Sequence, residues 1–204
     1  MWIPITVFSV LAAAAGLIVW WLASPGAGDA DDSGGARVAD DDDFGTVHVY
    51  DVDEAAGLSP APSGLASEIW DMFVRVATPE YAGEKVVEYH VGDSDESDTM
   101  AFVFQADDPA YWVVGANLAT SEDRQELLAT LVHEYAHLLF LSTDQIDLDG
   151  ECAADDALWE GCPLAHAYVA AFRDEFWSHY GDDAPASDNT DGDVAYDFYL
   201  AHED

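Results

Sequence analysis

The chain has 204 residues, with 42 acidic and 5 basic side chains and a formal net charge of −37. The basic residues are scattered at Arg37, Arg75, Lys85, Arg124 and Arg173, which excludes nucleic-acid and anionic-membrane binding, and an apolar fraction of 50% excludes wholesale disorder and suffices for one buried core. Such an acid load repels itself in dilute buffer, and a Debye length of about 3 Å in molar salt removes most of that repulsion, so the composition points to adaptation to high salt, with an ordinary acidic secreted protein as the plainer alternative.

The first element is apolar. Ile3 to Ala23 is a run of about 21 residues without a charge, long enough to cross about 30 Å of hydrocarbon, with Trp2 and Trp20–Trp21 suited to the two interfaces. Residues 1–24 are therefore expected to be a transmembrane anchor; a cleaved signal segment is the alternative, weakened by the absence of a basic n-region. No basic residue flanks the run to set its orientation. Residues 25–44, rich in Gly, Pro, Ser and Asp, read as an acidic disordered linker, with Asp40–Asp43 as solvated spacer.

Residues 45–204 are expected to form one folded domain. Thr46–Tyr50 reads as a strand, and Leu65, Ile69, Met72, Phe73 and Val76 fall at helical spacing between Ser63 and Thr78. Lys85–Val91, Ala101–Gln105 and Tyr111–Leu118 read as strands, the last two separated by the turn signal Asp107-Asp108-Pro109. A long helix is predicted from about Ser121 to Leu141, with Thr120 and Asp123 spaced as a capping box and Leu127, Leu128, Leu131, Tyr135 and Leu138 as its core face. A mostly helical C-terminal half follows, giving an α+β class.

Within the long helix lies His133-Glu134-Tyr135-Ala136-His137, an H-E-x-x-H pattern. Residues i and i+4 share a helix face, so both imidazoles can reach one metal ion, and Glu134 can address a water bound there. Zn²⁺ lowers the pKa of such a water to about 7, and a carboxylate beside it can take the proton and pass it to a leaving amine. Thr130, Leu131, Val132, Tyr135, Ala136, Leu138 and Leu139 are all uncharged in a chain otherwise full of acids, as a metal-binding helix set in a core requires. The plain reading is two polar residues on an amphipathic helix.

At these residues the chain resembles the zincin metallopeptidases. The resemblance implies a mixed sheet before the active-site helix, with an edge strand that binds extended substrate; Tyr111–Leu118 is the candidate for that strand. More narrowly, Ala129 to Trp177 is similar to an uncharacterised group of surface-anchored or secreted zinc peptidases from halophilic archaea and bacteria, in which the motif helix is followed by a Cys, a Gly-Cys pair and an aromatic helix like Ala167–Trp177. The activity implied is hydrolysis of peptide or protein substrates with Zn²⁺ as cofactor, His133 and His137 as ligands and Glu134 as general base, in an extracellular domain held by the N-terminal helix.

Catalytic zinc usually takes three protein ligands. Phe140 and Thr143 stand where a metzincin pattern needs Gly and His. An acidic ligand from a later helix is the alternative, and Glu160 is the best internal candidate, ahead of Asp155, Asp156, Glu175, His202 and Glu203. In the similar group the ligand is implied to lie beyond a region like Tyr196–Asp204, so the chain is expected to stop short of it. Cys152 and Cys162, in C-x9-C spacing, are expected to form a disulfide; free thiols or a His₂Cys₂ zinc site are the alternatives. A non-catalytic binding module with an incomplete metal site is the competing function.

Overall fold

Strand-forming runs of Val, Tyr, Phe and Trp build the domain's centre. The structure is a computed structural model that describes residues 35–152, 157–158, 160–176 and 179–180; the fold below is that of the unit spanning 32–179. The predicted anchor, Asp155, Asp156, His202 and Glu203, and the segment Val194–Asp204 lie outside the described residues. Among the described residues no helix is long and apolar enough to cross a membrane.

The element order is β1 (Arg37–Asp41), β2 (Gly45–Val52), β3 (Leu58–Ser59), α1 (Gly64–Ala77), α2 (Pro79–Lys85), β4 (Val86–Gly92), β5 (Ala101–Gln105), β6 (Trp112–Asn117), α3 (Arg124–Phe140), β7 (Ile146–Asp147), β8 (Cys162–Pro163) and α4 (Tyr168–Glu175). The main sheet runs β1-β2-β4-β6-β5, with β3 beside β2. Only β4 and β6 pair in parallel; the other neighbours are antiparallel, so the sheet is mixed and the class is α+β, as expected.

Helices α1 and α3 cover one face of the sheet. Ile69, Trp70 and Phe73 of α1 and Leu127, Leu131 and Leu138 of α3 share a core with Tyr89, Val91, Trp112 and Val114. The polar ends of its aromatics are satisfied: Trp70 Nε1 donates to the Ala56 carbonyl at 2.9 Å, and Tyr89 Oη to the Ala66 carbonyl at 3.1 Å. A smaller cluster on Phe44, Val47 and Val49, with Phe102 packed against it, is separate. A side chain at Gly115 would meet the Phe102 ring, so glycine there lets the ring lie against the strand.

Four expectations change. First, the linker does not run to Phe44. Arg37–Asp41 adds a strand to β2, Phe44 is buried, and the acidic run is a hairpin turn in which Asp41 Oδ1 accepts from the Asp43 and Phe44 N–H groups at 2.9 Å each. Arg37 anchors the new edge on Asp51 and Glu88. Second, Tyr111–Leu118 is not the edge. Every residue of β6 is buried because neighbours flank it on both sides, and β5 is the edge strand. Third, α3 starts later, at Arg124, with Asp123 as its cap accepting from the Gln125 and Glu126 N–H groups, while Thr120 bonds the Thr99 carbonyl instead. Its outward face is open, with Leu128 at 43% and Val132 at 50% exposure. Fourth, between α3 and α4 the described chain is not helical; it carries the short β7–β8 pair, which leaves α4 as the one described helix of the C-terminal half.

Candidate metal centre

Helix α3 buries Leu127, Leu131, Glu134 and Leu138, the spacing of a single core-facing stripe. A carboxylate therefore occupies a position where the helix otherwise presents leucine. Glu134 is 9% exposed. Burial pushes its carboxyl up to about 7, with the Val103 backbone N–H pulling in the opposite sense.

Val103 lies on the edge strand. Met100 accepts from Asn117 at 2.8 Å and Ala106 donates to Tyr111 at 2.9 Å. Antiparallel alternation then turns the backbone groups of Ala101, Val103 and Gln105 away from β6, to the open edge of the sheet. The influence of the Val103 N–H on Glu134 is consistent with that phase.

One helical turn separates His133 and His137. Their Nε2 atoms stand 3.0 Å apart, with ring planes at 81°. Zn–N bonds of 2.0–2.1 Å in a tetrahedral shell hold two nitrogens about 3.3 Å apart, so a small ring rotation would let one ion sit between them. Without an ion the same contact serves as a hydrogen bond from one neutral ring to the other. His137 is held below the ordinary imidazole range by burial and then by His133, with Glu160 acting in the opposite sense. Both influences that lower it favour the neutral ring, the form that ligates metals.

Glu134, His137 and Glu160 line one cavity of about 330 Å³, together with Val103, Gln105 and Trp112. Glu160 sits in a turn closed by Leu158 and Gly161, whose backbone groups exchange bonds of 2.9 and 3.2 Å. Gly161 has φ +140, and a side chain there would run into the Asp147 backbone, so the turn requires glycine. Cys152 and Cys162 are joined by a disulfide, as expected, which closes the chain around that turn and removes both thiols from any His₂Cys₂ site. Gln105 Nε2 donates to the Leu141 carbonyl at 3.4 Å, tying the edge strand to the end of α3.

The structure thus brings together His133 and His137, with their Nε2 atoms 3.0 Å apart, and Glu134, His137 and Glu160 around one cavity. It does not bring three ligands to one point: among the described residues no group of three His, Cys, Asp or Glu side chains is close enough to hold an ion. Glu175 lies on α4 and does not line the cavity. A second cavity, of about 410 Å³ at the β1–β2 hairpin, is lined by Asp42, Asp43 and Glu96 and contains none of the predicted site residues.

Two contributors escaped the sequence reading. Val103 acts through its backbone, which no side-chain pattern reveals. Trp112 opens an apolar run and reads as core, which it is at 3% exposure, yet it also lines the cavity, and its Nε1–H has no hydrogen-bond partner among the described residues. No family model matches the chain, and no curated protein or solved structure matches it.

Proposed function

We propose that the chain is a membrane-anchored, extracellular zinc-dependent peptidase of zincin type. The observation that carries the reading is the pair of imidazole nitrogens 3.0 Å apart on α3, beside a buried glutamate on the same helix. His133 and His137 would hold the ion, and Glu160 is the candidate third ligand because it lines the cavity that His137 and Glu134 share. A bound Zn²⁺ supplies Lewis acidity, lowering the pKa of a coordinated water to about 7 and polarising the scissile carbonyl.

The chain's own groups do the rest. Glu134 takes a proton from the attacking water and delivers it to the leaving amine nitrogen; burial keeps its affinity for the proton near neutrality, where a base that must also act as acid is most effective. The outward backbone groups of Ala101 and Gln105 are free of β6 and suit an extended peptide laid along the edge, with the Val103 N–H turned to Glu134 between them. The charge-free run at Ile3–Ala23 supports a membrane anchor, and the Cys152–Cys162 disulfide supports an oxidising location outside the cell.

The test is zinc content and hydrolysis of casein or a peptide library in molar salt. Glu134→Gln keeps its metal and loses at least about 10²-fold in turnover, the usual scale of general acid–base catalysis; undiminished turnover in that variant would refute the assignment. One observation favours a second reading. Because no three-ligand group forms among the described residues, the domain could instead be a zincin-like binding module without catalysis, and stoichiometric zinc with no hydrolysis of any peptide would select it.

A further inference from the structure

We infer that Phe104 selects among substrates: a peptide lying on the β5 edge is favoured when an aromatic or β-branched side chain falls opposite that ring. This deepens the peptidase reading and rests on it for the identity of the ligand as a peptide. The starting observation is the contrast between the two ends of the main sheet, β1 and β5. An open strand edge invites unwanted pairing, and proteins blunt it with charge. Strand β1, of sequence RVADD, follows that rule with Arg37, Asp40 and Asp41. Strand β5, of sequence AFVFQ, carries no charge in a chain of net charge −37. It also leaves Phe104 42% exposed. One edge is protected and the other is kept apolar, which points to β5 as the edge with a ligand to receive.

The two faces of β5 do different things. Val103 packs on the core shared with α1 and α3, whereas Phe102 packs on the separate cluster of Phe44, Val47 and Val49. Strand alternation puts Phe104 on the Phe102 side. Its ring has a packed backing there: the Phe44 and Phe102 centroids are 4.7 Å apart, those of Phe102 and Phe104 5.8 Å, and the His90 ring meets Phe104 edge-on at 5.9 Å. His90 is itself held by Glu88, whose Oε2 lies 2.8 Å from its Nε2. Phe102 and Phe104 also border the cavity that Glu134 and Glu160 line. Because the outward backbone groups belong to Ala101, Val103 and Gln105, a peptide laid antiparallel meets Phe102 and Phe104 at non-hydrogen-bonded positions, where opposing side chains come closest. An aromatic or branched side chain there covers the open part of the Phe104 ring. A carboxylate gains no apolar contact and approaches the two glutamates of the cavity.

The probes are capped pentapeptides, acetyl-Ala-Ala-X-Ala-Ala-amide with X as Phe, Val, Ala or Asp, added to the full chain in molar KCl with chelator present so that they stay intact. Dissociation constants are read by competition against a fluorescein-labelled Phe peptide, followed by anisotropy. The Phe and Val peptides are expected to bind about two- to fivefold more tightly than the Ala peptide, the scale of one favourable cross-strand pair, with the Asp peptide weakest. Phe104→Ala is expected to erase that preference and to keep the affinity for the Ala peptide. In the parent chain, intermolecular NOEs are expected between the ring of the Phe peptide and that of Phe104, and this measurement decides the matter where the variant fails to fold. Equal affinities for all four peptides, no binding of any, a preference that survives in folded Phe104→Ala, or no such NOEs at saturation overturn the proposal. Self-association through β5 that shuts the peptides out overturns it too, and assigns the edge to a second copy of the chain. The two readings fail separately: Phe-selective binding without zinc-dependent cleavage sinks the peptidase and keeps the subsite, whereas zinc-dependent cleavage indifferent to Phe and Ala sinks the subsite alone.

Discussion

Reduction of the Cys152–Cys162 disulfide should weaken zinc binding as well as the fold, because Glu160 lies inside the loop that the bond closes. With a sequence separation of 10, closing that loop removes about 9 cal/mol/K of denatured-state entropy, or about 2.7 kcal/mol at 25 °C. The structure limits where the effect falls. The bond constrains the β7–β8 loop, whereas His133 and His137 sit on α3, which is held by the separate contacts of Leu127, Leu131 and Leu138. The paired variant Cys152→Ser/Cys162→Ser should therefore unfold at lower denaturant by about 2–3 kcal/mol in molar salt, with α3 intact. Zinc affinity, measured by competition with a chromophoric chelator, should fall with it if Glu160 is a ligand, since an untethered turn must be ordered afresh on binding. A variant that loses the stability but keeps the zinc affinity of the parent would refute the assignment of Glu160. A variant that loses neither would refute the claim that the bond constrains this loop.

Three further outcomes are expected. Lowering NaCl from molar to about 0.1 M should reduce the thermal midpoint steeply as the Debye length grows to about 10 Å, and an unchanged midpoint would defeat the high-salt reading of the −37 charge. Leu131→Ala, which empties a fully buried position under α3, should cost about 2–5 kcal/mol by denaturant unfolding. Glu88 should make the fold acid-sensitive: burial pushes its carboxyl up, but bonds from His90 and Arg37 outweigh this and hold it below the ordinary value of 4.5. A depressed folded-state value gives stability that is present above 4.5 and lost as pH falls through the folded value, so Glu88→Gln should flatten the thermal midpoint over that acid range.

Much of this was legible where the signal is local. Ala101–Gln105 is a strand with the bounds its sequence predicts, α1 differs from its predicted span by one residue at each end, and the H-E-x-x-H spacing does put both imidazoles on one face of a helix. What failed was set by distant partners. The acid run at Asp40–Asp43 has the composition of a solvated spacer, and only pairing of Arg37–Asp41 with β2 makes it a turn. Periodicity cannot tell an edge strand from a central one, so the burial of β6 on both sides and the placing of β5 at the edge follow from topology alone. Leu128 reads as core because it is apolar, yet it faces outward on α3, as Val132 does.

The informative residue is the one that breaks its helix's own rule. Leu127, Leu131 and Leu138 make a stripe that a fourth leucine at 134 would complete, and such a helix would gain apolar burial with no polar group to satisfy. Glu134 instead brings a carboxyl into the stripe, where burial raises its pKa and a backbone N–H of the edge strand opposes that rise. A fold selected for stability alone has no use for that arrangement. It becomes intelligible when its neighbours are considered with it: the imidazole pair on the same helix and the edge strand β5. The carboxyl lines one cavity with His137 and with Val103 of that strand edge. On the proposed peptidase reading, a carboxyl in that cavity is placed to move a proton between a water and a peptide nitrogen.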